Sequence, residues 1–387
     1  MGLAHSPKIV TDGLSFMYDT GSGKSYKGEP TTNLQASGSA GVHASSSGNA
    51  VSVTDASAEK GPGWKKVTIT DRGTNFRTLQ FTYTSMTANT MYSHSAVFDW
   101  GNMRDKGYSI YFDGNGTGTR AYYRPGDYAN TGSTSINSSM PDGKFAGTIT
   151  HTSSHTHAFF IRNYSTGVSG LNDYFYYKEY QVEINTHPTQ FTSGTRSTTQ
   201  GLLDLTKNET ITLSNLSYDS NAQMSFDGTD DQFQISDPGI GTSFSIEVVI
   251  KVNNYSNGPI FISPNSVGID HFFRVSNTGK FSANFVEVPD TANDGYTSTT
   301  VINTGEYYHV VISKTPSNGT LYVNGVAEDS HTPTLPAAAW TSAWRIGARW
   351  NNTYNLNGEI PILKVYNRDL APAEVLQNYN ALKSRFT

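Results

Sequence analysis

Histidines and aspartates at short spacings are the first candidates for chemistry in this sequence. In the run HTSSHTHAF, His155 and His157 stand two apart, so on a strand they share one face, and His151 lies where a hairpin would return it toward them. Imidazoles gathered this way bind transition metals. No carboxylate or fourth ligand stands beside them, and the same spacing suits three exposed turn histidines. In FDGTDD, Asp227, Asp230 and Asp231 offer oxygen ligands of the kind calcium takes. Aspartates that accept hydrogen bonds from turn amides account for the same motif without an ion.

Aromatic side chains with amides and guanidinium groups form a second kind of cluster. Trp340, Trp344, Trp350 and Tyr354 run together with Arg345, Arg349, Asn351 and Asn352. Trp344 and Ile346 alternate in SAWRIGA and belong to a core, whereas Trp350 and Tyr354 fall in the loop beyond. Tyr122, Tyr123 and Arg124, in RAYYRPGDY, are an analogous set. Such rings suit a sugar platform, and they equally suit a protein contact, where Tyr, Trp and Arg are enriched. Glycoside hydrolysis needs two carboxylates about 5–10 Å apart across one bond. Glu287 and Asp290 have Pro289 between them, which disfavours a central strand, and Glu359 has no acidic neighbour.

These groups must be positioned by β-structure. The chain has 387 residues, 15% charged, with 36 Gly, 23 Tyr, 19 Phe and no Cys. That length allows one to three domains, and the mix favours strands joined by many turns. Without cysteine there are neither disulfides nor thiolate metal sites. A net charge of -5 with scattered basic residues leaves no nucleic-acid footprint. There is no long apolar run and no basic-apolar start, so neither a membrane span nor a signal peptide is expected.

Period-2 alternation marks the strands. Met224 and Phe226, then Phe233 and Ile235, then Phe244, Ile246, Val248 and Ile250 alternate around the FDGTDD turn, one row for a core and the other for water. YYHVVISK (307–314), TLYVNGV (320–326) with an Asn324-Gly325 hairpin turn, and NGEIPILKVY (357–366) follow. Residues 8–19 read as one strand, with Ile9 and Val10 extending it past Gly13, and TGSGKSYKGEPTTN as a loop. Further strands are expected at 64–70, 77–83, 91–98, 108–112, 120–123, 144–150 and 157–163. The low-complexity run ASGSAGVHASSSGNAVS reads as a long loop or weak hairpin. APAEVLQNYNALKSRF is the one helix. Pro372 and Glu374 suit its first turn, and Val375, Leu376, Tyr379 and Leu382 line one side.

In order, FDGTDDQF, SFSIEVVIK, YYHVVISK, LYVNG, WRIGAR, NGEIPILKVYNRDL and PAEVLQNYNAL resemble the laminin-G / concanavalin A-like lectin-glucanase family. The resemblance implies an all-β fold: two antiparallel β-sandwich (jelly-roll) domains, one inserted into the other, with a short C-terminal helix. GLSFMYD resembles the opening of such a sandwich, and its continuation GLLDLT arrives only at residue 201. Residues 1–33 with 198–387 are therefore expected to form the discontinuous lectin-like domain, and 34–197 an inserted carbohydrate-binding-module-like sandwich. The order MYDTGSGKSYKGEPTTNL, insert, QFTSGTRS, GLLDLT resembles virion proteins of tailed phages.

That resemblance implies a non-enzymatic protein on the virion exterior, made in the host cytoplasm. It would be a tail fibre or similar appendage adhering to host glycan. Implied partners are other virion proteins, host cell-surface glycan and further copies of the chain, as a trimer, with no nucleic acid and no membrane. A capsid-decoration or head-fibre protein without glycan binding is the alternative, and a glycan depolymerase a third reading. The E-x-D-x-E spacing of glucanase members is absent. No cofactor is expected beyond the Ca2+ that family members hold at the sandwich rim.

Overall fold

The computed structural model describes residues 8–34, 42–44, 49–72, 77–112, 134–150, 155–163, 171–219, 223–264, 272–284, 295–332 and 342–386. The fold is all-β, with antiparallel sheets in sandwich-like jelly rolls and a short C-terminal helix. Two compact units divide the chain. One is built of Met1–Pro30, Ser197–Asp219 and Gln223–Thr387, the other mainly of Thr31–Arg196.

In the first unit one sheet runs in the order Ser217–Tyr218, Met224–Asp227, Asn357–Tyr366, Phe244–Asn254, Tyr307–Lys314, Gly319–Val323, Val326–His331. Leu14–Asp19 adds to it by pairing with Asn357–Tyr366, Met17 opposite Lys364 and Tyr18 opposite Leu363. The second sheet runs Ile211–Ser214, Gln232–Ile235, Trp344–Ile346, Ile260–Pro264, Phe272–Val275, Lys280–Asn284, Tyr296–Val301. Alternate residues of both sheets, among them Phe16, Phe226, Phe233, Ile246, Val248 and Trp344, meet in one core. That is the burial pattern of two stacked antiparallel sheets.

The strand Phe244–Asn254 departs from simple alternation. Ser245, Glu247 and Val249 are as buried as Ile246 and Val248, so the row expected to face water does not. The helix Pro372–Leu382 accounts for this. It buries Val375, Asn378 and Leu382 and leaves Leu376 46% exposed and Tyr379 half-buried, so the inward stripe keeps two of the expected residues and gains a polar one. Val375 packs with Val311, Tyr322 and Tyr366, and Leu382 with Val249 and Ile362. At its start Glu374 accepts the Ala371 N–H at 2.9 Å and a two-pronged contact from Arg368 at 2.7 and 2.8 Å.

The opening strand is also shorter than expected. Gly13 has φ +71°, a left-handed turn, and the strand begins only at Leu14. Val10 instead donates its N–H to Asn378 Oδ1 at 2.7 Å.

Among the described residues, the second unit has two five-stranded sheets. One runs Gly143–Thr150, Met91–Asp99, Tyr174–Ile184, Lys65–Arg72, Asn49–Asp55, and the other Val42–Ala44, Arg77–Met86, His155–Asn163, Tyr108–Phe112, Thr134–Ser135. Phe98 stacks on Trp100 at 4.8 Å, Phe145 meets Trp100 edge-on at 5.2 Å, and Ile110 and Ile161 join them from the other sheet. The described pieces of the low-complexity run, residues 42–44 and 49–52, are in strands that do not pair with each other. Val42–Ala44 pairs with Arg77–Met86 and Asn49–Asp55 with Lys65–Arg72, so the two pieces enter different sheets. Val42 stands alone among its neighbours, and Val51 and Val53 give an alternation only two residues long. Thr31–Thr32, expected as loop, pairs with Thr195–Arg196 where the chain enters and leaves this unit. Among the described residues, no helix is long and apolar enough to cross a membrane.

Candidate functional site

Two groups of residues that looked separate in sequence meet at one rim of the first unit. The strand Met224–Asp227 pairs with the start of Asn357–Tyr366, Asp227 opposite Asn357. Gln232–Ile235 pairs with Trp344–Ile346, Phe233 opposite Ile346. The turn 228–231 and the loop 347–356 therefore leave neighbouring strands side by side. Asn357 Nδ2 donates to Asp227 O at 2.9 Å, Gln232 Nε2 to Asn352 Oδ1 at 3.4 Å, and Asn355 Nδ2 to Thr229 O.

The loop is held in an unusual shape. Gly347 has φ +92°, and a Cβ there would sit 2.2 Å from Phe226 Cε1, so only glycine fits where the strand turns outward. Asn352 and Tyr354 both adopt left-handed backbone, at φ +57° and +55°. For a bulky residue such as tyrosine this is an outlier that the surroundings must enforce. Tyr354 O accepts Ile260 N–H at 2.8 Å, Arg349 N–H reaches Thr353 O at 3.0 Å, and Asn352 N–H reaches Arg349 O at 2.9 Å. The result is a Tyr354 side chain 45% exposed with the Arg349 guanidinium 5.8 Å from its ring centre. Trp350 is half-buried beside the exposed Asn351 and Asn352. Trp344 is fully buried in the core.

Asp227, Asp230 and Asp231 each bring a carboxylate oxygen to within 4.8 Å of the others. Part of their capacity serves the turn. Asp231 Oδ2 accepts Asp227 N–H at 2.7 Å, Asp227 Oδ1 accepts Thr229 N–H at 2.6 Å, and Asp230 Oδ2 accepts Asn215 Nδ2 at 3.1 Å. Burial pushes the Asp231 carboxyl above its usual range, with Asp227 adding to the shift and hydrogen bonds from Ser217 and Asp227 opposing it. On the same rim Gln232 Oε1 and Asn355 Oδ1 are buried without a donor. Carboxylates and unsatisfied carbonyl oxygens are the donor set calcium takes, so the residues present fit that ion.

The remaining sequence candidates fall elsewhere. His155 and His157 lie on the strand His155–Asn163 opposite Met86 and Thr82, with a shift of register between them. His151, Tyr122, Tyr123, Arg124, Trp340, Glu287 and Asp290, and the expected strand 120–123, lie outside the described residues. Glu359 is engaged by Lys251 Nζ and by the Tyr307 hydroxyl on the outer face of the first sheet.

Sequence reasoning missed a buried polar cluster beneath the helix. Glu247, fully buried, meets Lys364 Nζ at 2.7 Å, His309 Nε2 at 3.0 Å, Asn378 Nδ2 at 2.6 Å and the Tyr366 hydroxyl at 3.3 Å. Burial alone would raise the Glu247 carboxyl, but Lys364 and His309 hold it down, to about 2. The signal was present: single charges inside the apolar runs FSIEVVIK and IPILKVY imply a buried pair.

No curated protein matches the chain. Among solved structures, it is similar to domain 4 of AbnA, a GH43 arabinanase from Geobacillus stearothermophilus, at 17% identity and a TM-score of 0.35, covering 47% of this chain and 93% of that one. The receptor binding domain of botulinum neurotoxin type G is similar at 14% identity and a TM-score of 0.37, over 47% of this chain and 49% of that chain, about half its length. The CBM40 of a Ruminococcus gnavus sialidase is similar at 16% identity and a TM-score of 0.29, over 35% and 80% of the two chains. Residues 227–376, which carry both rim segments, match the family model of the concanavalin A-like lectin/glucanases superfamily.

Proposed function

We propose that the protein is a non-enzymatic glycan-binding adhesin whose binding site is the rim formed by Asp227–Asp231 and Arg349–Asn357. The observation that carries this is Tyr354, held outward on a left-handed backbone beside Arg349, Asn351 and Asn352. An exposed ring gives a sugar an apolar face to stack on, and the surrounding amides and carboxylates accept and donate to its hydroxyls. Nothing in that arrangement calls for turnover. A glycan array probed with the wild-type chain and with Tyr354→Ala tests it.

Calcium is part of the proposal. Asp227, Asp230 and Asp231 would hold it, with the Gln232 and Asn355 carbonyl oxygens on the same rim. Bound there, it would neutralise the clustered carboxylates and stiffen the two segments that carry the site. Calcium at about 100 times its Kd should stabilise the folded protein by roughly 2.7 kcal/mol. A melting curve recorded with and without calcium reads this directly. The gain should vanish in Asp231→Asn, and an equal gain in wild type and variant would remove the ion from the rim.

The virion setting is proposed on the resemblance of the segments flanking the second unit to tailed-phage virion proteins. On that reading the chain is an exterior appendage, trimeric, and seated on other virion proteins. Release of reducing ends from host polysaccharide by the purified chain would overturn the non-enzymatic assignment.

A further inference from the structure

A cleft of about 420 Å3 lies on the outer face of the first unit's sheet that contains Asn357–Tyr366, and neither the rim reading nor the buried cluster uses it. Its floor is a rib of cross-strand neighbours. Tyr307 is opposite Lys251 and Lys251 opposite Glu359, on three adjacent strands. Lys251 contacts the Glu359 carboxylate and lies 5.0 Å from the Tyr307 ring centre, and the Tyr307 hydroxyl donates to Glu359. One wall is the C-terminal turn, where Phe386 packs on Tyr307 at 5.1 Å and Arg385 grips Asp19 with two 2.7 Å bonds. Ser225, on Met224–Asp227, lines the cleft toward the rim.

The lining defines the ligand's chemistry. Lys251 is paired with Glu359 and Arg385 with Asp19, which leaves the Asp219 carboxylate as the lining's one further charge, so the cleft offers an anion no net attraction. What it offers is ring edges next to hydroxyl, amide and carboxylate atoms, which is what a neutral sugar ring meets. Its volume is within the range of about 300–1,000 Å3 typical of ligand pockets.

Its position defines the ligand's length. Ser225 and Asp227 are two apart on one strand, as are Glu359 and Asn357 on the next, and the outward residues of each strand share a face. Ser225 and Glu359 of the cleft thus lie about 7 Å along the strands from Asp227 and Asn357 at the edge of the rim, roughly one sugar unit.

We infer that the cleft is a second carbohydrate subsite continuous with the rim, so that the protein takes an extended neutral oligosaccharide and not a single terminal sugar. This rests on the rim reading for the class of ligand. The test uses the full chain and, as probes, the dimers and hexamers of α-1,4- and β-1,4-linked glucose, with backbone NMR shifts read at Tyr354 and Asn351 for the rim and at Ser225, Tyr307 and Phe386 for the cleft.

A hexamer is expected to perturb both sets and to bind about tenfold more tightly than its dimer. Ser225→Trp, which fills the cleft, should abolish the cleft shifts and the length gain while leaving the rim shifts, and the milder Phe386→Ala should reduce both. Shifts at the rim alone would overturn the cleft and leave the rim standing. Shifts at the cleft alone would overturn the rim and leave the cleft. No shift in either set overturns both. Tighter binding of a sulfated hexamer than of its neutral counterpart would overturn the assignment of a neutral ligand.

Discussion

Replacing Glu247 by alanine is expected to destabilise the first unit by about 3–5 kcal/mol, because it strands the buried Lys364 ammonium without its carboxylate. Lys364 and Glu247 are both fully buried, and Asn378 ties the same carboxylate to the helix and to Val10 near the chain's start. The loss should therefore be cooperative, releasing the helix and the opening segment together. A urea unfolding curve measures it, and Glu247→Leu with Lys364→Met should recover most of the loss, since a buried ion pair is often replaceable by apolar residues of similar volume. A double variant no more stable than Glu247→Ala would show that the cluster does more than neutralise itself.

The same cluster sets a pH dependence. The folded carboxyl of Glu247 lies at about 2, below its ordinary 4.5. A lowered acid contributes stability that is complete above pH 4.5 and is lost as pH falls from 4.5 toward 2. The size is about 3 kcal/mol if the whole shift is realised. Wild type should lose this increment across that window and Glu247→Gln should not.

Trp344→Ala is the second large effect, at about 3–5 kcal/mol. Trp344 is fully buried, and its three-residue strand sits between Gln232–Ile235 and Ile260–Pro264, so the cavity opens at the centre of a sheet. For a unit of this size that corresponds to a fall in Tm of roughly 10 °C. The strand also delivers Gly347 and the rim loop, so the variant should lose rim order as it loses stability. Unchanged melting would mean that the core closes around the missing ring, and the loop would then need another anchor.

Much of the fold was legible because antiparallel strands with one buried face write an alternating pattern into the sequence. Asn357–Tyr366 and Tyr108–Phe112 have the bounds that pattern gave. The pattern fails where a strand is buried on both faces. Ser245, Glu247 and Val249 read as a solvent row because the helix that covers them comes more than a hundred residues later, and the one local sign of it is the single charge of Glu247 inside an apolar run. It fails also where the alternation is short, as with Val51 and Val53 in Asn49–Asp55.

The candidate site was legible in its parts. Asp227, Asp230, Asp231, Trp350 and Tyr354 stand out by type. Their meeting depends on the pairings of Asp227 with Asn357 and Phe233 with Ile346, contacts between residues more than a hundred positions apart. Asn355 and Gln232, which carry the unsatisfied carbonyl oxygens, had no sequence signal at all.

The central claim is that the rim binds glycan through Tyr354. Glycan-array binding by the wild-type chain, by Tyr354→Ala and by Trp350→Ala, each run with calcium and with a chelator, tests it most directly. The account predicts calcium-dependent binding by wild type, a loss of tenfold or more in Tyr354→Ala at unchanged melting temperature, and a smaller loss in the half-buried Trp350→Ala. Equal binding by wild type and Tyr354→Ala would contradict it, and the exposed ring would then be assigned to a contact with another protein.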